Sequence, residues 1–463
     1  MPVNALGWLG LARRAGDCWI CPGRRDWLES LGLRTARDFL ALPGIVVSGH
    51  VGRNVSRVDL GGTTAYLKRE HLIRTRDRLR SWRDGFGWTS LSAREAAVLD
   101  RLERHDLPLP RPLALGEVDG QGFLLLEASG ATLDIRGLVP LPPAVAERLG
   151  RIIARLHAAG VDQPDLFSKH VLACPRTLRF TILDWQRAVL RRQVNWRRRA
   201  RGLAALRATF PRGSDPAWEV LMAAYLDECA GQGTPPPAGL PDHVAAIAAG
   251  LSRRRGIASQ RLRTTAPVSQ ELVRIGGERV CAVPEVAGAL QADSATAALY
   301  DQAADGRSLS LPDGRRGQLQ VRRYRLPFAR WWAALRGRSW RSPELRAARL
   351  LFHLERHGIP APKLLAYGQT VPALAPARAF LLVEPLVARP IGRGDAASAR
   401  HLLDRLHDAG CRLTAIGPNG EPFGMTRRAI VRDVHRVQLV KRLTTGRARR
   451  DRNLLDAFFR GLR

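Results

Sequence analysis

The sequence predicts an α+β fold laid down twice, as two tandem bilobal domains of which the second is degenerate. The first sign is a long-period repeat. LERHDLPLPRPLALG from Leu102 returns as LERHGIPAPKLLAYG from Leu354, RLHAAG from Arg155 as RLHDAG from Arg405, and LDWQR from Leu183 as RDVHR from Arg432. Order is kept and the displacement stays at 252, 250 and 249 positions, far beyond the unit of a solenoid, so the repeat marks domains. The second sign is that strand-like segments precede helix-like ones in each copy. The third is a Pro/Gly-dense stretch, GQGTPPPAGLPDH from Gly231, between the copies. The expected division is 1–230, a linker with a short helix at 231–263, and 264–463.

Taken in order, residues 1 to about 42 read as short helices. From Gly44 to Lys68 come three strands, separated by turns at Gly49 and Gly52 and at Gly61 and Gly62, with apolar alternation in NVSRVDL and TTAYLK. A basic stretch leads into a helix from about Leu91 to His105, with Ser92 as N-cap and Ala96, Leu99 and Leu102 on its apolar face. Pro108 ends it, and two strands follow (LALGEV, GFLLLEA). Then come a helix from Pro143 to about Ala159, the loop VDQPDLFSKH, a hairpin containing RFTILDW, and helices to about Cys229. From about Thr264 the order recurs.

The chain has 463 residues, ordinary proportions of hydrophobic (45%) and charged (25%) residues, and a formal net charge of +32. That excess implies polyanionic partners: nucleic acid, anionic membrane or phosphorylated glycans. The 74 basic residues are 70 arginines and four lysines, so a lysine where chemistry needs an ammonium stands out. No apolar run approaches the roughly 20 residues of a membrane span. The first residues lack a secretory pattern, and the expected location is cytoplasmic. Cys18 and Cys21 form C-x-x-C, but no second pair completes a zinc set, so two half-buried thiols are expected.

The first copy offers the parts for moving a phosphoryl group from ATP, which is chiefly a matter of positioning and charge neutralisation. Gly49 and Gly52 supply a turn over the phosphates. Lys68 ends the third strand, and Glu95 lies in the following helix as its partner. Asp165 follows the helix that ends LHAAG and suits a base for the acceptor hydroxyl. His170 and Asp184 suit ligands for Mg2+. Each alone has a plainer reading: a hairpin turn, a surface lysine, a solvated glutamate, a turn or capping aspartate, a satisfied core histidine. Their joint order on the expected elements favours the chemistry.

These phrases carry a resemblance. YLKRE, REAAVLDRLERHDLPLPRPLALGE, LHAAGVDQPDLFSKHVL, LDWQRAV and NWRRRARGLAAL are similar to the lipopolysaccharide kinase family, which includes inner-core heptose kinases and kinases of 3-deoxy-manno-octulosonic acid. The resemblance covers roughly residues 48–210 and, more faintly, the second copy. It implies a protein-kinase-like fold, ATP and Mg2+, and phosphorylation of a sugar hydroxyl of a glycolipid by a protein peripheral on the inner membrane. It also matches His170 to a metal-ligand position, and Asp184 with Arg187 to a D-x-x-R phrase. Gln163-Pro164 before Asp165 departs from the His-Arg of protein kinases.

Aligned on its repeated phrases, the second copy puts Ala347 opposite Glu95, Ala415 opposite Asp165 and Gly420 opposite His170, with Arg322 or Arg323 near the Lys68 position and Glu344 one turn before Ala347. Only Asp433 and Arg436 match Asp184 and Arg187, so the second copy is expected to be a pseudokinase. Two stretches interleave arginine with tryptophan, RRQVNWRRRARG from Arg191 and RRYRLPFARWWAALRGRSWRS from Arg322. They suit glycolipid phosphates or an anionic membrane surface, or stack bases, or are solvated faces. The leading expectation is a glycolipid sugar kinase. A kinase of a protein or small molecule, and an inactive polyanion-binding scaffold, are the alternatives; nucleic acid is the less favoured partner.

Overall fold

The protein is described from a computed structural model, which covers residues 18–463 apart from 51, 106, 130–132, 175, 212, 253, 263, 265–269, 276–277, 293–306, 311–313, 315, 326, 336–339, 373–375 and 463. Contacts divide the chain into two compact units, Met1–Val47 with Arg53–Arg263, and Ser48–Gly52 with Thr264–Arg463. The helical reading of the first 17 residues lies outside the described residues.

The N-terminal half of the chain opens with six strands: β1 (Cys18–Ile20), β2 (Ile45–His50), β3 (Arg53–Leu60), β4 (Thr63–Glu70), β5 (Pro112–Val118) and β6 (Gln121–Glu127). They form one sheet in the order β1-β5-β6-β4-β3-β2. The three strands expected over Gly44–Lys68 are present; β1 was not expected. Three residues are too few for alternation to register, and β1 is held by pairing with β5, Trp19 opposite Leu115.

Alternation along β4 positions the site. Ala65 and Leu67 pack into a core with Phe39, Phe123 and Leu125, beneath the short helices Arg25–Ser30 and Ala36–Ala41. Side chains of a strand point alternately to its two faces, so Lys68 and Glu70 turn to the other side. That side is covered by the helix Leu91–Leu102, whose Ala96, Leu99 and Leu102 join Leu124 and Leu126 in a second core.

The N-cap of this helix is Ser90, not Ser92. Ser90 has extended backbone and its hydroxyl accepts from Ala93 N, while its own N–H donates to Glu117. Ser92 sits inside the first turn, fully buried, with its N–H on Glu70. Two carboxylates on the sheet thereby hold the helix start, and the helix cannot rotate away from β4 without losing both.

The second lobe packs the helix Pro143–Ala158 against Asp215–Gly231, and Trp196–Thr209 against Leu240–Ser252. Gly150 is where the first pair meets: a Cβ there would lie 2.3 Å from the Leu221 carbonyl oxygen. Residues 240–261 differ from the expected linker. They form the helices Leu240–Ser252 and Arg255–Arg261, and Leu240, Val244, Ala248 and Ile257 enter the first unit's core. Proline and glycine density marks only the turn at residues 232–239.

The second unit has a six-stranded sheet in the order Glu271–Ile275, Glu278–Ala282, Leu364–Thr370, Ala377–Val383, Arg316–Tyr324, Arg307–Ser310. The helices Pro343–Arg356, Ala396–Asp408 and Thr445–Gly461 build its main core around Leu351, Leu354, Leu403, Leu406 and Leu455.

Candidate active site

Glu95 is the centre of the site. It is fully buried, and burying a carboxylate is expensive unless donors satisfy it. Lys68 Nζ donates to its Oε1 at 2.7 Å, and the Trp185 N–H to the same oxygen at 3.0 Å. Gln186 Nε2 donates to Oε2 at 3.3 Å, and the Arg53 guanidinium stands 3.9 Å from it. Arg53 also donates to the Gln186 side chain. Lys68 is itself only 7% exposed, which removes the surface-lysine reading.

Asp184 follows the strand Arg179–Ile182 at φ 63°, in the left-handed region that aspartate tolerates better than most side chains. Gln163 Nε2 donates to its carbonyl at 2.8 Å. The residue that departs from the protein-kinase pattern thus ties the Asp165 loop to the Asp184 loop. Burial works against the charge of Asp184, but His170 when protonated, then Lys68 and Arg53, outweigh it and hold its carboxyl at about 2.

His170 faces Asp184, with Nε2 3.4 Å from Oδ2. Its Nδ1 lies 2.9 Å from the Asp165 carbonyl oxygen. A carbonyl oxygen only accepts, so Nδ1 carries the proton and Nε2 presents a lone pair to the carboxylate. Burial, then the charges of Lys169 and Lys68, outweigh the pull of Asp184 and hold the imidazole at about 4, so it is neutral near pH 7. Two acceptors facing each other across 3.4 Å fit a cation. Among the described residues no group of three or more His, Cys, Asp or Glu side chains could hold a metal. Mg2+ needs no such cage, because it keeps waters and takes its other ligands from substrate phosphates.

Asp165 comes in beside them. Burial raises its carboxyl and the charge of Asp184 adds to this, while Arg187 opposes. Arg187 Nη1 donates to both oxygens of Asp165, at 2.8 and 2.9 Å. The structure therefore brings Lys68, Glu95, Asp165, His170 and Asp184 together. Gly49 and Gly52 take no part in these contacts; Gly52, at φ 93°, has the conformation that calls for glycine in the turn between β2 and β3.

Sequence reasoning missed the groups that support Glu95 and Asp184: Arg53, Gln163, Gln186, and the clamp of Arg187 on Asp165. Three of them stood in the quoted phrases DQP and LDWQR. Cys18 lies in β1, buried rather than half-buried because the strand turns its thiol into the core, where it donates to the Arg34 carbonyl at 3.2 Å; Cys21 is half-buried. Arg191 and Arg198 both donate to Asp162, at 2.9 and 2.7 Å. With Arg192, Gln193 and Asn195 they line a surface depression of about 760 Å³.

A family profile described as the lipopolysaccharide kinase (Kdo/WaaP) family matches residues 38–225. Two 3-deoxy-D-manno-octulosonic acid kinases, from the PXO99A and KACC10331 / KXO85 strains of Xanthomonas oryzae pv. oryzae, are each 33% identical over 199 residues, covering 39% of this chain and 73% of theirs. Among solved structures, WaaP in complex with acyl carrier protein is 21% identical, with a TM-score of 0.36 over 50% of this chain and 98% of that one. An aminoglycoside-3'-phosphotransferase of type VIII is 18% identical, with a TM-score of 0.32 over 46% and 97%. Through its first unit, the chain belongs to the lipopolysaccharide kinase (Kdo/WaaP) family.

Proposed function

We propose that the first unit transfers the γ-phosphoryl group of ATP to a sugar hydroxyl of a lipopolysaccharide core or related glycolipid, of the 3-deoxy-manno-octulosonic acid class, at the cytoplasmic face of the inner membrane. The observation that carries this reading is the buried Lys68–Glu95 pair at 2.7 Å, set beside Asp184 and Asp165. A buried ion pair is a poor device for stability, so its presence beside two further aspartates points to use.

In this reading Lys68, held straight by Glu95, neutralises the nucleotide phosphates, and the turn at Gly49 and Gly52 covers them. Asp184 and His170 hold Mg2+, which when bound offsets phosphate charge. Asp165 takes the proton from the acceptor hydroxyl as its oxygen bonds to the γ-phosphorus and ADP leaves. The arginine-lined depression at residues 191–198 suits phosphates of the acceptor.

The second unit, in this proposal, is the same fold without the chemistry. Ser342 caps its helix by accepting from Leu345 N and donates its N–H to Gln369, each 252 positions on from Ser90, Ala93 and Glu117. The irregularity between Leu364 and Ala366 stands 252 positions after the one between Pro112 and Ala114. Ile182 N donates to Pro108 O, and Val431 N to Pro360 O. By sheet register the residue at the Lys68 position is Gln320, neither Arg322 nor Arg323: Lys68 pairs with Leu124 and Gln320 with Leu381. Glu344 is occupied by the Tyr324 hydroxyl at 2.7 Å, leaving Ala347 at the Glu95 position. Asp433 caps a turn through His435 N and pairs with Arg436.

The test is ATP consumption with Mg2+ and a detergent extract of lipopolysaccharide. Asp165→Asn is expected to lower acceptor-dependent turnover by about 10²–10⁴-fold while ATP affinity changes little. Equal turnover in the variant removes Asp165 from the mechanism, and ATP binding with no phosphorylated lipid redirects the acceptor.

A further inference from the structure

The helix Pro327–Leu335 of the second unit wears its apolar face outward. Phe328 is 71% exposed, Trp331 57%, Trp332 44% and Leu335 61%. The spacing i, i+3, i+4, i+7 puts all four within one arc of about 100°, the stripe that a globular helix turns to its core. On the opposite side, among the described residues, Arg330 donates to the Pro372 carbonyl and Ala333 is half-buried. The rings run together, Phe328 stacked on Trp332 at 6.2 Å and tilted to Trp331 at 6.1 Å, so the outer face is one continuous apolar surface.

A patch of that kind marks a binding surface, and its surroundings specify the partner's charge. From Gly314 to Pro343 the sequence holds nine arginines and no carboxylate. Nine helical residues extend only about 14 Å, less than half a bilayer core. Among the described residues no helix is long and apolar enough to cross a membrane. A short helix with aromatic and aliphatic residues on one side, set in an arginine-rich stretch of sequence, suits the headgroup layer of an anionic bilayer. Single-stranded nucleic acid fits less well, because Leu335 completes the face and offers no ring for a base to stack on.

We propose that Pro327–Leu335 is a membrane-docking helix, lying in the plane of an anionic lipid surface with Phe328, Trp331, Trp332 and Leu335 in the acyl boundary and the neighbouring arginines on lipid phosphates. The inference is independent of the kinase reading, since docking needs neither ATP nor acceptor. The first unit's helix Thr75–Arg83 exposes Leu79 and Trp82 but threads arginines through the same region, and it serves as the comparison.

Full-length protein is mixed with phosphatidylcholine vesicles, with and without phosphatidylglycerol, and sedimented. Tryptophan quenching by brominated lipids is read in parallel. Binding to the anionic vesicles is expected, weakened about tenfold or more by Phe328→Ser with Trp331→Ser, since each serine removes a large apolar side chain from the acyl boundary. Trp331→Leu with Trp332→Leu is expected to keep binding but lose much of the lipid quenching. Matching circular dichroism and melting temperature show that the variants fold. The proposal is overturned by absence of vesicle binding, or by binding of single-stranded DNA in its place. It is equally overturned by vesicle binding that responds to salt but ignores the serine variant, or by a loss seen only with Leu79→Ser and Trp82→Ser.

Discussion

Glu95 has a protein donor for each carboxylate oxygen, and this makes Lys68 and Glu95 a unit. Removing Lys68 alone leaves a buried charge short of its main partner, a loss of about 3–5 kcal/mol. Lys68→Met is therefore expected to lower the melting temperature as well as the activity. Lys68→Met with Glu95→Gln should recover much of the stability and none of the activity; recovery of turnover in the double variant would refute a nucleotide role for the pair. Arg187 gives a second test. Its charge holds the Asp165 carboxyl down against burial, so Arg187→Ala should let that carboxyl rise. A base must be deprotonated to work, so the acid limb of the kcat/KM profile should move to higher pH in the variant. A limb that stays in place assigns it to another group. The residue types of the site were legible because each role needs a particular side chain. Arg53 and Gln186 were not, because nothing in a single sequence says which arginine or glutamine of many a fold will bring to one carboxylate.

Strands β2 to β6 and the helix that carries Glu95 were legible from alternation, turn glycines and 3.6-residue spacing. The three-residue β1 was not, since its stability lies in pairing with β5 rather than in its own pattern. Ser92 was taken for the cap over Ser90 because both are serines near the helix start, and only backbone geometry separates them. The helix Pro143–Ala158 offers two checks. Gly150→Ala should cost about 1–3 kcal/mol, because its Cβ would meet the Leu221 carbonyl at 2.3 Å and the crossing must open. An unchanged melting temperature would mean that the crossing is looser than it stands. His157, paired with the Tyr225 hydroxyl at 2.9 Å, is held at about 3 by burial and then by Arg199. Below about pH 6.5 the unfolded chain takes up a proton that the folded one refuses. Stability is thus full above that pH and falls as pH drops toward 3, by up to about 1.4 kcal/mol per pH unit. His170 and His357, also held low by burial, add slopes of the same sign, so denaturant melts at pH 7, 6 and 5 should show the sum and His157→Gln should remove only its share.

At the scale of the whole chain, the repeated phrases were legible because they fall at matching helix ends, LERH closing Leu91–Leu102 and Pro343–Arg356 and RLH closing Pro143–Ala158 and Ala396–Asp408. The length of the first unit was not, because GQGTPPPAG reads as a linker wherever it occurs, while the later helices declare their allegiance only through Leu240, Val244 and Ile257 in the core. If the second unit lacks phosphotransfer, adding Asp433→Asn to full-length Asp165→Asn should leave the residual ATP turnover unchanged; a further loss would place a working site in residues 264–463. The near-exclusion of lysine has a practical side. Four amines, Lys68, Lys169, Lys363 and Lys441, serve the whole sequence beyond its N-terminus. An amine-directed reagent delivered on an ATP analogue therefore meets few competing amines, Lys169 beside His170 foremost among them, and peptide mapping after labelling would compare occupancy at Lys68 with that at Lys169.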